Sequence, residues 1–116
     1  MAAQQAAMSG VPVDLQVAGS SSGNGTTLAL PPSFRNHTIL VIGSSGVSAG
    51  AIQVEASNNP ADTNTWAPLT ATPTTVVASS DIAIILTGIF NFIRARISTA
   101  IVGGTVQVTY EGAKSY

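Results

Sequence analysis

The feature that most constrains this chain is hydrophobic alternation at period two, renewed in one short segment after another and broken each time by turn residues. It is plain at residues 11–17, where Val11, Val13, Leu15 and Val17 alternate with Pro12, Asp14 and Gln16. It returns at 51–57 (AIQVEAS), with Ile52, Val54 and Ala56 expected inward and Gln53 and Glu55 outward. On an extended backbone every second side chain points to the same face, so each such segment reads as a half-buried strand. Further strands are expected at 26–30, 66–69, 74–78, 82–87, 92–98 and 105–111. Segment 37–42 (HTILVI) is apolar at four successive positions and reads as a strand covered on both faces. Clusters of Gly, Pro, Ser, Asn and Asp at 19–25, 31–32, 43–50, 58–65 and 79–81 separate the strands. No helical period persists. The pattern predicts an all-β fold, an antiparallel β-sandwich of jelly-roll-like form with roughly seven or eight strands.

A chain of 116 residues has room for a single core, so residues 11–116 are expected to form one domain. Residues 1–10 (MAAQQAAMSG) carry Ala and Gln with few large apolar groups. A helix that short is marginal in water, and the segment is expected to be a flexible N-terminal arm. The alternation assigns Ile39, Val41, Ile52, Val54, Trp66, Ile84, Leu86, Ile93, Ile97, Val106 and Val108 to the core.

Charge is scarce. Asp, Glu, Lys and Arg make up 8% of the chain, against about 25% in an ordinary soluble domain. Thirteen Ser and thirteen Thr supply much of the polar surface, and the net charge is −1. A near-neutral surface repels its neighbours weakly. Either the chain is a Ser/Thr-coated monomer or neighbouring subunits cover much of it; the second is preferred, because so few charges suit a free monomer poorly. The basic residues Arg35, Arg94, Arg96 and Lys114 are too few for a nucleic-acid footprint. Without cysteine there is no disulfide, thiolate metal site or Cys nucleophile. The N-terminus lacks the basic and apolar regions of a secretory signal, and no apolar run approaches the ~20 residues that span a bilayer. Synthesis in the cytoplasm and no membrane partner are expected.

Signals of chemistry are weak. His37 is the single histidine; with no G-x-S-x-G elbow near any serine it reads as a strand-end residue rather than a catalytic base. The carboxylates Asp14, Glu55, Asp62, Asp81 and Glu111 are scattered and form no recognised pair. Residues 43–50 (GSSGVSAG) lack the Lys-Ser/Thr ending of a phosphate-binding loop and read as a hairpin connection. Residues 58–64 offer oxygen ligands without the acidic density of a calcium loop, so neither metal nor cofactor is expected. Trp66, the only tryptophan, reads as a core anchor. Its alternative role is a sugar-stacking platform beside Asn58, Asn59, Asp62 and Asn64. In 92–98 (FIRARIS), Ile93, Ala95 and Ile97 share one face, while Phe92, Arg94 and Arg96 share the other. That second face is either a salt-bridged surface or an interface, since Arg and aromatic residues are enriched in contact patches.

Residues 52–57 (IQVEAS), 65–69 (TWAPL), 88–98 (GIFNFIRARIS) and 103–112 (GGTVQVTYEG) carry a further reading. Over roughly residues 37–112 the chain resembles the small β-sandwich virion proteins of tailed bacteriophages, especially capsid decoration, or cement, proteins. That resemblance implies a non-enzymatic homo-oligomer, a trimer ahead of a dimer, on the outer face of the shell formed by the major capsid protein. A carbohydrate-binding or adhesin module of the tail or neck is the competing expectation.

Overall fold

The alternating segments pair as two facing sheets. The computed structural model describes residues 4–6, 12–21, 23, 25–31, 33–58 and 66–114. Its strands are β1 (Gln4–Ala6), β2 (Val13–Gly19), β3 (Thr27–Ala29), β4 (Phe34–Gly43), β5 (Ala49–Ser57), β6 (Ala67–Pro68), β7 (Thr74–Thr75), β8 (Asp81–Thr87), β9 (Phe92–Val102) and β10 (Val106–Lys114). Sheet one has the order β1-β3-β9-β5-β6, with β7 also on β5; sheet two has the order β2-β10-β4-β8. Every pairing is antiparallel except β1 with β3. From β2 to β5, and again from β7 to β10, each strand lies in the opposite sheet from the one before it. This is the jelly-roll form of the antiparallel β-sandwich. No helix among the described residues is long and apolar enough to cross a membrane.

The inward faces interdigitate as the alternation predicts. Ile52 and Val54 of β5 and Ile93, Ala95 and Ile97 of β9 meet Leu15, Ile39, Val41, Val106, Val108 and Tyr110 of sheet two, all of them at most 1% exposed. Ile84 and Leu86, expected in the core, pack against it from edge strand β8 and are only half-buried. Trp66 is also half-buried and is not part of the core.

Local readings fail where tertiary pairing overrides them. Segment 37–42 does lie in a central strand, but only one of its faces is covered. Ile39 and Val41 point inward, whereas Leu40 and Ile42 are half-buried on the outer face of sheet two, between neighbours on β8 and β10. Along β2, Leu15 is buried and Val17 is 68% exposed. The register with β10 shifts twice there, and a bulge turns the following side chain to the opposite face. Within the expected arm, Gln4–Ala6 pairs in parallel with Thr27–Ala29. The free edge of β3 supplies backbone partners that no local pattern announces; residues 1–3 and 7–10 lie outside those described.

The loop at 44–48 is not a hairpin. It carries the chain from sheet two to sheet one, beside the β9–β10 connection that crosses the other way. Gly46 (φ 90°) and Gly103 (φ 86°) lie back to back, and a Cβ on Gly103 would run into the Gly46 carbonyl oxygen. The hydrogen bonds Ser44 N to Thr105 O (3.0 Å) and Ser48 N to Val102 O (2.8 Å) join the two crossings.

Ile93 lies at the centre of this packing, fully buried. Replacing it with alanine should cost about 2–5 kcal/mol, measured as a lower midpoint in urea unfolding with an unchanged slope.

Candidate functional site

The longest ladder of sheet one, β5 with β9, sets Gln53 opposite Arg96, Glu55 opposite Arg94 and Ser57 opposite Phe92. These residues alternate with the core residues of the same strands and so face away from sheet two. Glu55 is nonetheless only 6% exposed and Arg94 only 9%. Arg94 Nε donates to Glu55 Oε1 at 2.9 Å, and Arg96 Nε donates to Oε2 at 3.2 Å. One carboxylate thus serves two guanidinium groups. The Trp66 ring lies on Arg94, its centroid 4.1 Å from Cζ, a cation–π stack that also takes the guanidinium out of water. Beside the pair, buried Gln53 donates to Thr70 Oγ1 at 3.0 Å, and Thr70 Oγ1 donates to the Thr72 carbonyl at 2.8 Å. The segment around β6 and β7 is tied by this chain to the outer side of β5.

Phe92, Arg94 and Arg96 therefore share the expected face, and the salt-bridged alternative describes it. Arg94 is sequestered and cannot anchor a partner directly. Arg96, with 38% of its side chain exposed, is the member with donors still turned to solvent. Trp66 is neither the expected core anchor nor an open platform, because one ring face rests on Arg94. Of its proposed companions, Asn58 is exposed, and its Oδ1 accepts from Asn91 Nδ2 at 3.0 Å. Asn59, Asp62 and Asn64 lie outside the described residues. Next to Asn58 an open depression of about 280 Å³ is lined by Ala56, Ser57, Ala67, Ile89, Phe90 and Asn91.

Gln53 and Glu55 face away from sheet two as the alternation expects, and both are nonetheless buried. Their face was legible; their cover was not, since Trp66 and Thr70 reach them from a later segment.

His37 is the other departure. It lies within β4 rather than at its end and is 1% exposed. Its Nε2 is 2.9 Å from the Gly88 carbonyl, which can only accept, so the ring proton sits there. Nδ1 is left to accept from the Tyr110 hydroxyl at 2.5 Å. Phe90 closes the pocket, its ring centroid 5.1 Å from that of His37. A Cβ on Gly112, which is paired with His37 across the ladder, would collide with the Tyr110 hydroxyl. The missing side chain is what lets the phenol reach the imidazole. With both ring nitrogens hydrogen-bonded and both side chains at most 1% exposed, this pair fastens β4 to β10 and to the turn at Gly88. Burial also pushes the Tyr110 hydroxyl pKa well above its ordinary value. Among the described residues no cluster of three or more His, Cys, Asp or Glu could hold a metal ion.

A solved structure, the SPBc2 prophage-derived protein YomS, superposes on this chain with a TM-score of 0.58. The match covers 86% of this chain and 88% of that one, at 16% sequence identity. The likeness is one of fold. No protein-family model and no curated protein matches the chain.

Glu55→Gln strands Arg94 in a buried position and should cost about 3–5 kcal/mol. Arg96→Ala, at the solvent side of the same carboxylate, should cost no more than about 1 kcal/mol. Chemical denaturation of the two variants reads the contrast. Alkaline unfolding tests the second cluster. The unfolded chain releases the Tyr110 proton near pH 10.0, whereas the folded chain holds it to higher pH. Stability should therefore fall as pH rises through 10.0. Tyr110→Phe should be less stable at pH 7 by about 1–3 kcal/mol, since it leaves His37 Nδ1 unpaired. Thermal melts between pH 8 and pH 11 should show a smaller alkaline loss for that variant.

Proposed function

We propose that this chain is a non-enzymatic structural component of a bacteriophage virion, a self-associating decoration protein bound to the outer face of the major capsid shell. The observation that carries the reading is the near full-length likeness in fold to a prophage-derived protein. The surface supports it. Of the few charges present, Glu55, Arg94 and Arg96 are drawn into one network, which leaves an exterior poor in charge and suited to close neighbours.

Arg96 contributes the accessible positive charge on the face that also bears Phe92, and this face is where the shell is proposed to dock. The arm takes part as well. Gln4–Ala6 adds to sheet one through backbone bonds that specify little sequence, so it serves equally as a strand lent to an adjoining subunit.

A carbohydrate-binding module would need an open aromatic platform, and Trp66 has one face on Arg94. A glycan array tests that alternative directly. The primary test is co-sedimentation with phage particles stripped of decoration. Full-length protein should bind to saturation at a fixed ratio to capsid subunits. Deletion of residues 1–10 should weaken binding while leaving the β-type circular dichroism intact. Absence of binding to heads, together with recovery in tail fractions, would move the protein to the tail.

A further inference from the structure

Strand β8 is the one long open edge among the described residues. Sheet one ends in β1, β6 and β7, each of two or three residues. At the other end of sheet two, the edge strand β2 is interrupted, because its register with β10 shifts twice and Leu15 O on its outer edge accepts from Thr26 N at 3.0 Å. β8 runs for seven residues, Asp81–Thr87, and is paired only with β4.

The pairing pattern says which of its backbone groups are free. Gly43 N donates to Ser80 O and Gly88 N donates to Arg35 O. Both pairs continue the β4–β8 register, in which Ile82, Ile84 and Leu86 oppose Val41, Ile39 and His37. Hydrogen-bonded pairs alternate along an antiparallel ladder. Ile82, Ile84 and Leu86 thus spend their N–H and C=O groups on β4, while those of Asp81, Ala83, Ile85 and Thr87 point out of the sheet edge. Proteins usually blunt such an edge with Lys, Pro or a bulge. β8 has no Lys or Pro, and its register with β4 is unbroken. Its side chains are apolar on both faces. Ile85 is 74% exposed, and Ile82, Ile84 and Leu86 are only half-buried.

We propose that β8 is the self-association surface, pairing antiparallel with β8 of a second copy about a twofold axis through Ile84. In that register the free groups of Asp81 meet those of Thr87 in the other copy, and those of Ala83 meet those of Ile85. All four outward residues are satisfied. On the inner face Ile82 meets Leu86 and Ile84 meets itself, covering the side chains a lone copy leaves half-bare. Asp81 never faces Asp81, so no like charges oppose each other. The two four-stranded sheets become one continuous sheet, and the union is isologous and closed. The proposal deepens the self-association stated above, but it depends on neither a virion nor a shell. The resemblance to decoration proteins favours a trimer, whereas this edge assigns a twofold pair.

Sedimentation of the full chain at micromolar concentration should give twice the 11.7 kDa monomer mass. Ile85→Lys changes an exposed side chain, and Ala83→Pro removes an outward N–H that the fold does not use. Both should sediment as monomers with unchanged circular dichroism, while Val102→Lys, on β9, should remain dimeric. The chain has no cysteine, so register can be read by cross-linking. Ile84→Cys should form a disulfide-linked dimer under mild oxidation, because non-hydrogen-bonded partners lie about 4.5 Å apart at Cα. Ile82→Cys should not. Oligomers that persist in both β8 variants, or equal cross-linking by the two cysteine variants, would overturn the β8 assignment and leave self-association standing. A wild-type monomer up to millimolar concentration would overturn both, while co-sedimentation with particles would still decide virion attachment.

Discussion

The β5–β9 ladder is the constraint on which the rest of the molecule depends. The register that sets Val54 beside Ala95 and Ile52 beside Ile97 on the inner face also sets Glu55 beside Arg94 on the outer one. A slip of one residue would turn one strand over against the other, exposing its core residues and driving either the carboxylate of β5 or the two guanidinium groups of β9 into the hydrocarbon core. Burying the ion pair against Trp66 gives up hydration that the pairing recovers only in part, so its contribution to net stability is small. Its larger effect is on alternatives. Any misregistered sheet would hold uncompensated charge, and that penalty is far steeper than the gain in the correct one.

The same alternation explains how much could be read from the chain. Which face a residue occupies is a local property of extended backbone, and so Ile93, Ile97, Val106 and Val108 were legible as core. Phe92, Arg94 and Arg96 were legible as their opposite face. What covers a face is not local. Glu55 lies buried because Trp66, eleven positions later in the sequence, returns over Arg94, and no pattern within 51–57 signals this. Val17 followed the alternation in sequence and left it in space, because its partner strand has fewer residues over the same span. His37 stands beside an apolar run, and the local pattern marks it as the boundary of that run. Its Tyr110 partner lies 73 positions away in the sequence.

Charge economy has a structural side. The sequence holds nine Asp, Glu, Lys and Arg residues, four basic and five acidic, and three of them share one network on the outer side of sheet one. The remaining surface carries little that would attract or repel a neighbour at a distance. Contacts on it must be short-ranged, built from backbone groups, hydroxyls and small apolar side chains. Such contacts change little with salt.

The back-to-back glycines of the two crossings bear on how this fold can be traced through evolution. Gly46 and Gly103 touch through main chain alone, in conformations that L side chains rarely adopt. Core positions tolerate exchange among Val, Ile and Leu, and a Ser/Thr surface can drift almost freely, so identity can fall very low while the architecture persists. A backbone-to-backbone crossing has no such latitude. Substituting either glycine requires both loops to move together. In distant descendants of this chain, two glycines separated by the full length of β5 to β9 would outlast almost every other recognisable word of the sequence.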